Sequence, residues 1–122
     1  MQMKIAIPVD ENNMDTRVSV SYGRAPYFLI YDIESEKASF VENRAAVSRG
    51  GAGIIAAQLI ADSKVQALLT PRLGQNAADV LSAADIKVYK ARPTLAKDNI
   101  KAFIDGELSQ LEEVHPGFHG GR

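Results

Sequence analysis

Cysteine is absent from this 122-residue chain. Its absence excludes disulfides, thiolate nucleophiles and cysteine-ligated iron–sulfur centres together, and it suits a reducing compartment. No apolar run approaches the ~20 residues a membrane span needs. The apolar start, Met1 to Val9, is too short for a secretory signal pattern. A cytoplasmic protein is therefore expected. A formal net charge of -1 provides no overall pull toward nucleic acid or membrane, so attraction for a charged partner has to be local. Histidine is scarce: His115 and His119 both lie near the C-terminus, and no Ser–His–Asp arrangement is evident. What remains is an ordinary globular balance, 46% hydrophobic and 24% charged, in a length that fits one domain with a real core.

The apolar runs come in two rhythms. "MKIAIPV" (3–9) reads as a buried strand with Pro8 near its exit end, where a missing N–H is tolerated. "YFLIYDI" (27–33) and "ASFVEN" (38–43), joined by the polar turn "ESEK", read as a hairpin. From Gly51 the period changes. Helices are expected over 52–62, 75–85 and 94–106, with Thr94 as the N-cap of the last and Gly106 as its stop. Strands are expected over 65–70 and 86–90. The order βββαβαβα argues for a mixed sheet covered by helices, with strand order 3-2-1-4-5 and strand 2 antiparallel to the rest. One domain is expected over 1–110, followed by a flexible tail over 111–122.

"SRGGAGIIAAQL" (48–59) contains Gly51-x-Gly53-x-x-Ala56, a permitted spelling of the dinucleotide fingerprint. The context is wrong for it. "RAAVSRG" separates the glycines from the preceding strand, and the next strand ends in Thr70-Pro71 rather than in an acid for the ribose. Close packing and unusual backbone angles are the simpler use for these glycines. A metal-dependent nuclease on the same strand order needs a cluster of acids, but strand 1 offers only Asp10, the first helix only Asp62 at its far end, and strand 4 none.

In this topology strands 1, 3, 4 and 5 are parallel, so their exit loops share one edge of the sheet. Arg17, Arg24, Arg44, Arg49, Arg72 and Arg92 all fall in those loops. The N-termini of all three helices arrive at the same edge with unpaired N–H groups and partial positive charge. Guanidinium forks beside helix N-termini suit an anion, and open α/β sheets bind ligands at this edge. "SRGGAG" and "PRLGQNA" (71–77) then let backbone N–H groups approach a bulky ligand.

"VSVSYGRAPYF" (18–28), "GGAGIIAA" (50–57), "GQNA" (74–77) and "IKVYKA" (86–91) occur in an order that resembles the nitrogenase iron–molybdenum-cofactor biosynthesis family, which includes NifX-type carriers and the C-terminal domain of NifB-type proteins. The resemblance spans roughly residues 3 to 110. It implies a ribonuclease-H-like α/β/α fold without nuclease activity, and binding or carrying of an anionic metal–sulfur cofactor or its precursor, with cluster donor or acceptor proteins as partners. The family often has His-Phe-Gly-Arg where this chain has Ser21-Tyr22-Gly23-Arg24. With the histidine replaced by Ser21, the candidate metal ligands are the tail residues His115 and His119.

The expected site thus has Arg24, Arg49 and Arg72 neutralising charge. Gly50, Gly51, Gly53, Gly74 and Asn76 donate from backbone or amide, Ser21 and Tyr22 line the mouth, and the resemblance adds Gly23 to the same set. No enzymatic activity is expected. Two other uses of the same edge stay open: a protein-interaction module for an acidic partner, with no cofactor, and a binder of a phosphate-bearing small molecule.

Overall fold

The computed structural model describes residues 3–48 and 50–111. Three strands open the chain: β1 (Lys4–Val9), β2 (Tyr27–Asp32) and β3 (Lys37–Glu42). A 3₁₀ turn over Arg44–Val47 follows, a segment expected to be irregular loop. The alternating part comprises α1 (Ala52–Asp62), β4 (Ala67–Thr70), α2 (Gln75–Ala83), β5 (Lys87–Lys90) and α3 (Ala96–Ile104). The sheet order is β3-β2-β1-β4-β5, as the sequence pattern implies.

β2 runs antiparallel to both neighbours, with Lys4 opposite Asp32 and Tyr27 opposite Glu42. β4 runs parallel to β1 from the Ile5–Ala67 pair, and β5 parallel to β4 from the Ala67–Lys87 pair. The exit ends of β1, β3, β4 and β5 therefore meet at one edge. Side chains alternate across the pleat. Ala6, Phe28, Ile30 and Leu68 face a core shared with α1 and α2. Ile5, Ile7, Leu29 and Leu69 face a second core shared with α3. The result is a three-layer α/β/α sandwich, the ribonuclease-H-like arrangement.

The element ends differ from expectation where tertiary contacts decide them. Thr94 does not cap α3. The N-cap is Leu95, which makes no side-chain cap bond. The N–H of Ala96 instead donates to the Thr16 carbonyl at 3.0 Å, and the Thr94 carbonyl accepts from the Val18 N–H at 3.0 Å. The helix start is thus set by the loop after β1, a partner 80 residues away in sequence that no local pattern reveals. The expected stop at Gly106 holds. Its φ is 77°, its N–H reaches the Phe103 carbonyl, and the Glu107 N–H reaches the Ala102 carbonyl, the paired bonds of a Schellman motif. β4 and β5 begin later than expected, at Ala67 and Lys87. Beyond α3, Ser109 and Leu111 hydrogen-bond to Lys90 and Val88 and cover the outer edge of β5. No helix among the described residues is long and apolar enough to cross a membrane.

Leu81 of α2 is fully buried in the core between α1, α2 and the sheet. Leu81→Ala is expected to cost about 3 kcal/mol of unfolding free energy through lost transfer energy and a cavity. Ile104→Ala, at a residue 53% exposed, should cost under about 1 kcal/mol. Urea denaturation of the two variants checks the contrast.

Candidate functional site

An open cleft of about 740 Å³ lies at the exit edge on the α1–α2 side of the sheet. Its walls are residues 20–24 from the loop after β1, Gly53 of α1, the 71–74 loop after β4, and Ala77 of α2. Seven of the sequence-derived candidates meet here: Ser21, Tyr22, Gly23, Arg24, Gly53, Arg72 and Gly74. Gly50 and Gly51 precede α1 without lining the cleft, and Asn76 is exposed on the first turn of α2, also outside the lining. Arg49, His115 and His119 lie outside the described residues.

The glycines have two separate physical jobs. Gly51 is the N-cap of α1 with φ 67°, a left-handed conformation that favours glycine. Gly23 permits close approach: a Cβ there would stand 3.3 Å from the backbone nitrogen of Gly53 and 3.4 Å from its Cα. The 20–24 loop thereby rests against the first turn of α1. The fingerprint spelling thus coincides with a helix start that packs backbone against backbone.

Both helices, α1 and α2, open without a side-chain cap among the described residues. Neither Gly51 nor Gly74 makes a side-chain cap bond, and neither first turn contains an acid. Each terminus carries roughly half a positive charge. None of the 15 acidic residues is among the described residues that line the cleft. Of the six loop arginines gathered at this edge, the described lining takes in Arg24 and Arg72, and the N-terminus of α3 lies away from it. Arg17 donates to the Pro93 carbonyl at 3.0 Å, and Arg92 pairs with Glu107 at 3.6 Å, both on the α3 side. Arg44 is exposed on the 3₁₀ turn. The first turn of α3 contains Asp98, and its Ala96 N–H is already bound. The reason is geometric: one edge of a sandwich has two faces, and the sheet separates them.

Arg24 is held as well as charged. Its Nη1 donates to the carbonyls of Ala46 at 3.0 Å and Ser48 at 2.7 Å, tying the loop to the 3₁₀ turn. Tyr22 is 6% exposed, packs its ring 5.9 Å from that of Phe28, and donates its hydroxyl to the Gly53 carbonyl at 3.3 Å. On the opposite wall, buried Thr70 donates its hydroxyl to the Arg72 carbonyl at 3.0 Å and shapes the turn after β4. Asn43 and Thr70 were not among the sequence candidates. An asparagine ahead of "RAAV" is a local capping signal, and it does accept from the Ala45 N–H. Its other partners, the carbonyls of Gly23 and Ala25, lie 20 and 18 residues away and leave no local trace.

Among the described residues no group of three or more histidines, aspartates or glutamates is gathered as a metal site. The described lining offers N–H groups, two guanidinium groups and hydroxyls, but no carboxylate, imidazole or thiol.

The profile of a family described as dinitrogenase iron-molybdenum cofactor matches residues 3–106. An uncharacterized protein of Methanocaldococcus jannaschii is 36% identical over 113 residues, which cover 90% of this chain and 92% of that protein. The apo form of the orange protein from Desulfovibrio gigas superposes with a TM-score of 0.86 at 31% identity, covering 90% of this chain and 93% of that one. A proposed NifB protein from Thermotoga superposes with a TM-score of 0.80 at 32% identity, covering 98% and 99%.

Burial raises the Tyr22 phenol well above its ordinary value of 10.0. The folded chain therefore keeps this proton after the unfolded chain has begun to release it. The stability it contributes is complete below about pH 10 and falls as pH rises further. Tyr22→Phe should cost about 1 kcal/mol near neutrality for the lost bond to Gly53 and flatten the alkaline fall in stability. Thermal unfolding from about pH 8 to 12, wild type against variant, reads both effects.

Proposed function

The chain belongs to the dinitrogenase iron-molybdenum cofactor family, and on that premise we propose that its cleft binds and carries an anionic metal–sulfur cluster or cofactor precursor without catalysing a reaction on it. The observation that carries this reading is the convergence of two glycine-opened helix N-termini with Arg24 and Arg72 on one cleft whose described lining contains no acid. A bare cation finds no ligand set in that lining. A cluster that arrives with its own sulfides needs none, only N–H donors and diffuse positive charge around it. The lining also includes Val20, Pro71, Leu73 and Ala77. Those apolar surfaces suit a large anion of low charge density better than a small, strongly hydrated oxyanion.

The cargo enters through the open side of the cleft, where Val20 is 77% exposed. Tyr22 keeps its proton and acts as a neutral wall. Ser21 supplies an exposed hydroxyl at the mouth. Donor and acceptor proteins for the cluster are the partners this reading requires.

An anaerobic titration with tetrathiomolybdate, followed by backbone amide NMR with phosphate as control, tests the reading. Saturable shifts specific to thiomolybdate are expected in 20–24, at Gly53 and in 71–77. Arg72→Ala should weaken binding about tenfold, the loss of one charge-assisted contact. Equal shifts with phosphate would reduce the site to one for phosphate-bearing ligands. Absence of shifts with either anion would overturn the cargo reading in favour of a protein-docking edge.

A further inference from the structure

Asn43 stands behind the cleft, at the end of β3, and does not line it. Its side chain is 4% exposed and fully engaged. One amide hydrogen goes to the Gly23 carbonyl at 3.1 Å and the other to the Ala25 carbonyl at 2.8 Å. The amide oxygen accepts from the Ala45 N–H at 3.0 Å, and the Asn43 backbone N–H donates to the Pro26 carbonyl at 3.0 Å. One side chain thus grips both the loop that carries Arg24 and the 3₁₀ turn.

Arg24 closes the circuit from the other side, since its Nη1 donates to the Ala46 and Ser48 carbonyls of that same turn. The direction of the guanidinium is set by the turn, and the turn is set against the loop by Asn43. We propose that Asn43 is the positioning residue of the cleft, holding the Tyr22–Arg24 wall and the Arg24 charge in the binding geometry. This rests on the anion-carrier reading of that cleft. Only a carboxamide meets the demand at this position. Two carbonyls require two donors, and the turn requires an acceptor from the same group. An ionised aspartate, nearly the same shape, would aim a carboxylate oxygen at two carbonyl oxygens.

The fold supplies a matched control. Asn99, fully buried on the other face of the sheet, clamps the 92–95 loop with the same chemistry. Its oxygen accepts from the Arg92 N–H at 2.7 Å, and its amide donates to the carbonyls of Arg92 at 3.1 Å and Leu95 at 3.0 Å. Asn43→Asp and Asn99→Asp make the same chemical change in equally buried clamps. A purely structural role predicts the same outcome for both.

The experiment compares the two full-length variants with wild type, well below the melting temperature of each. It measures tetrathiomolybdate affinity at about pH 7.5 and the amide resonances of the ligand-free proteins. Both variants should melt at lower temperature. Asn43→Asp alone should weaken binding, by about tenfold or more, and shift the resonances of Tyr22, Gly23 and Arg24. Acidification of ligand-free Asn43→Asp restores one donor as the new carboxyl protonates, and those resonances should move back toward wild type. Unchanged affinity in folded Asn43→Asp, or an equal loss in Asn99→Asp, would overturn the proposal. If Asn43→Asp does not fold, Asn43→Ser, which keeps a single donor, takes its place with the same two readouts. If wild type itself does not take up tetrathiomolybdate, the cargo reading fails, and the ligand-free resonances alone decide whether Asn43 positions the wall.

Discussion

The approach of two glycine backbones, Gly23 against Gly53, is the contact on which the site depends. Any side chain at Gly23 would press on the peptide that opens α1. With Gly23 reduced to backbone, the loop after β1 settles onto the first turn of the helix. Tyr22 then sinks into the core beside Phe28 and reaches the Gly53 carbonyl, and Arg24 swings to the 3₁₀ turn. The wall of the cleft is a consequence of that contact, and the second wall follows from the parallel pairing of β4 with β1.

Electrostatics here is arranged by what is left out. Helix N-termini are ordinarily capped by Ser, Thr, Asp or Asn and softened by acids in the first turn. α1 and α2 have neither, and each starts from glycine. With glycine at each N-cap, roughly a few tenths of a kcal/mol of local stability is thereby forgone per cap. α3, on the face away from the cleft, does contain an acid in its first turn. The difference between the helices follows the face of the sheet on which each lies, which is what a binding role for α1 and α2 requires.

Buried polar side chains, beside the apolar packing of Tyr22 and Leu73, set the shape of the loops around the cleft. Asn43, Thr70 and Ser19 are each nearly inaccessible and each bonded to backbone of a loop at the exit edge. Among the described residues no buried side-chain polar atom lacks a partner. Such networks are costly to leave half-made, so they specify one loop conformation more sharply than hydrophobic contacts do.

The sequence alone determined the sheet and its order, because apolar period and glycine punctuation are local properties of the chain. "KIAIPV", "YFLIYD" and the helical runs after Gly51 could be assigned without knowing their neighbours. The gathering of loop arginines at one edge also followed once the strand order was known. Only the tertiary structure decided which of them share a cleft, because the sheet divides that edge into two faces and sends Arg17 and Arg92 to the far one. Likewise the start of α3, the latch of Arg24 and the grip of Asn43 depend on carbonyls far away along the chain. A hydrogen bond to a distant backbone carbonyl leaves no periodicity and demands no residue type at its acceptor, so it could be seen only once the chain was folded.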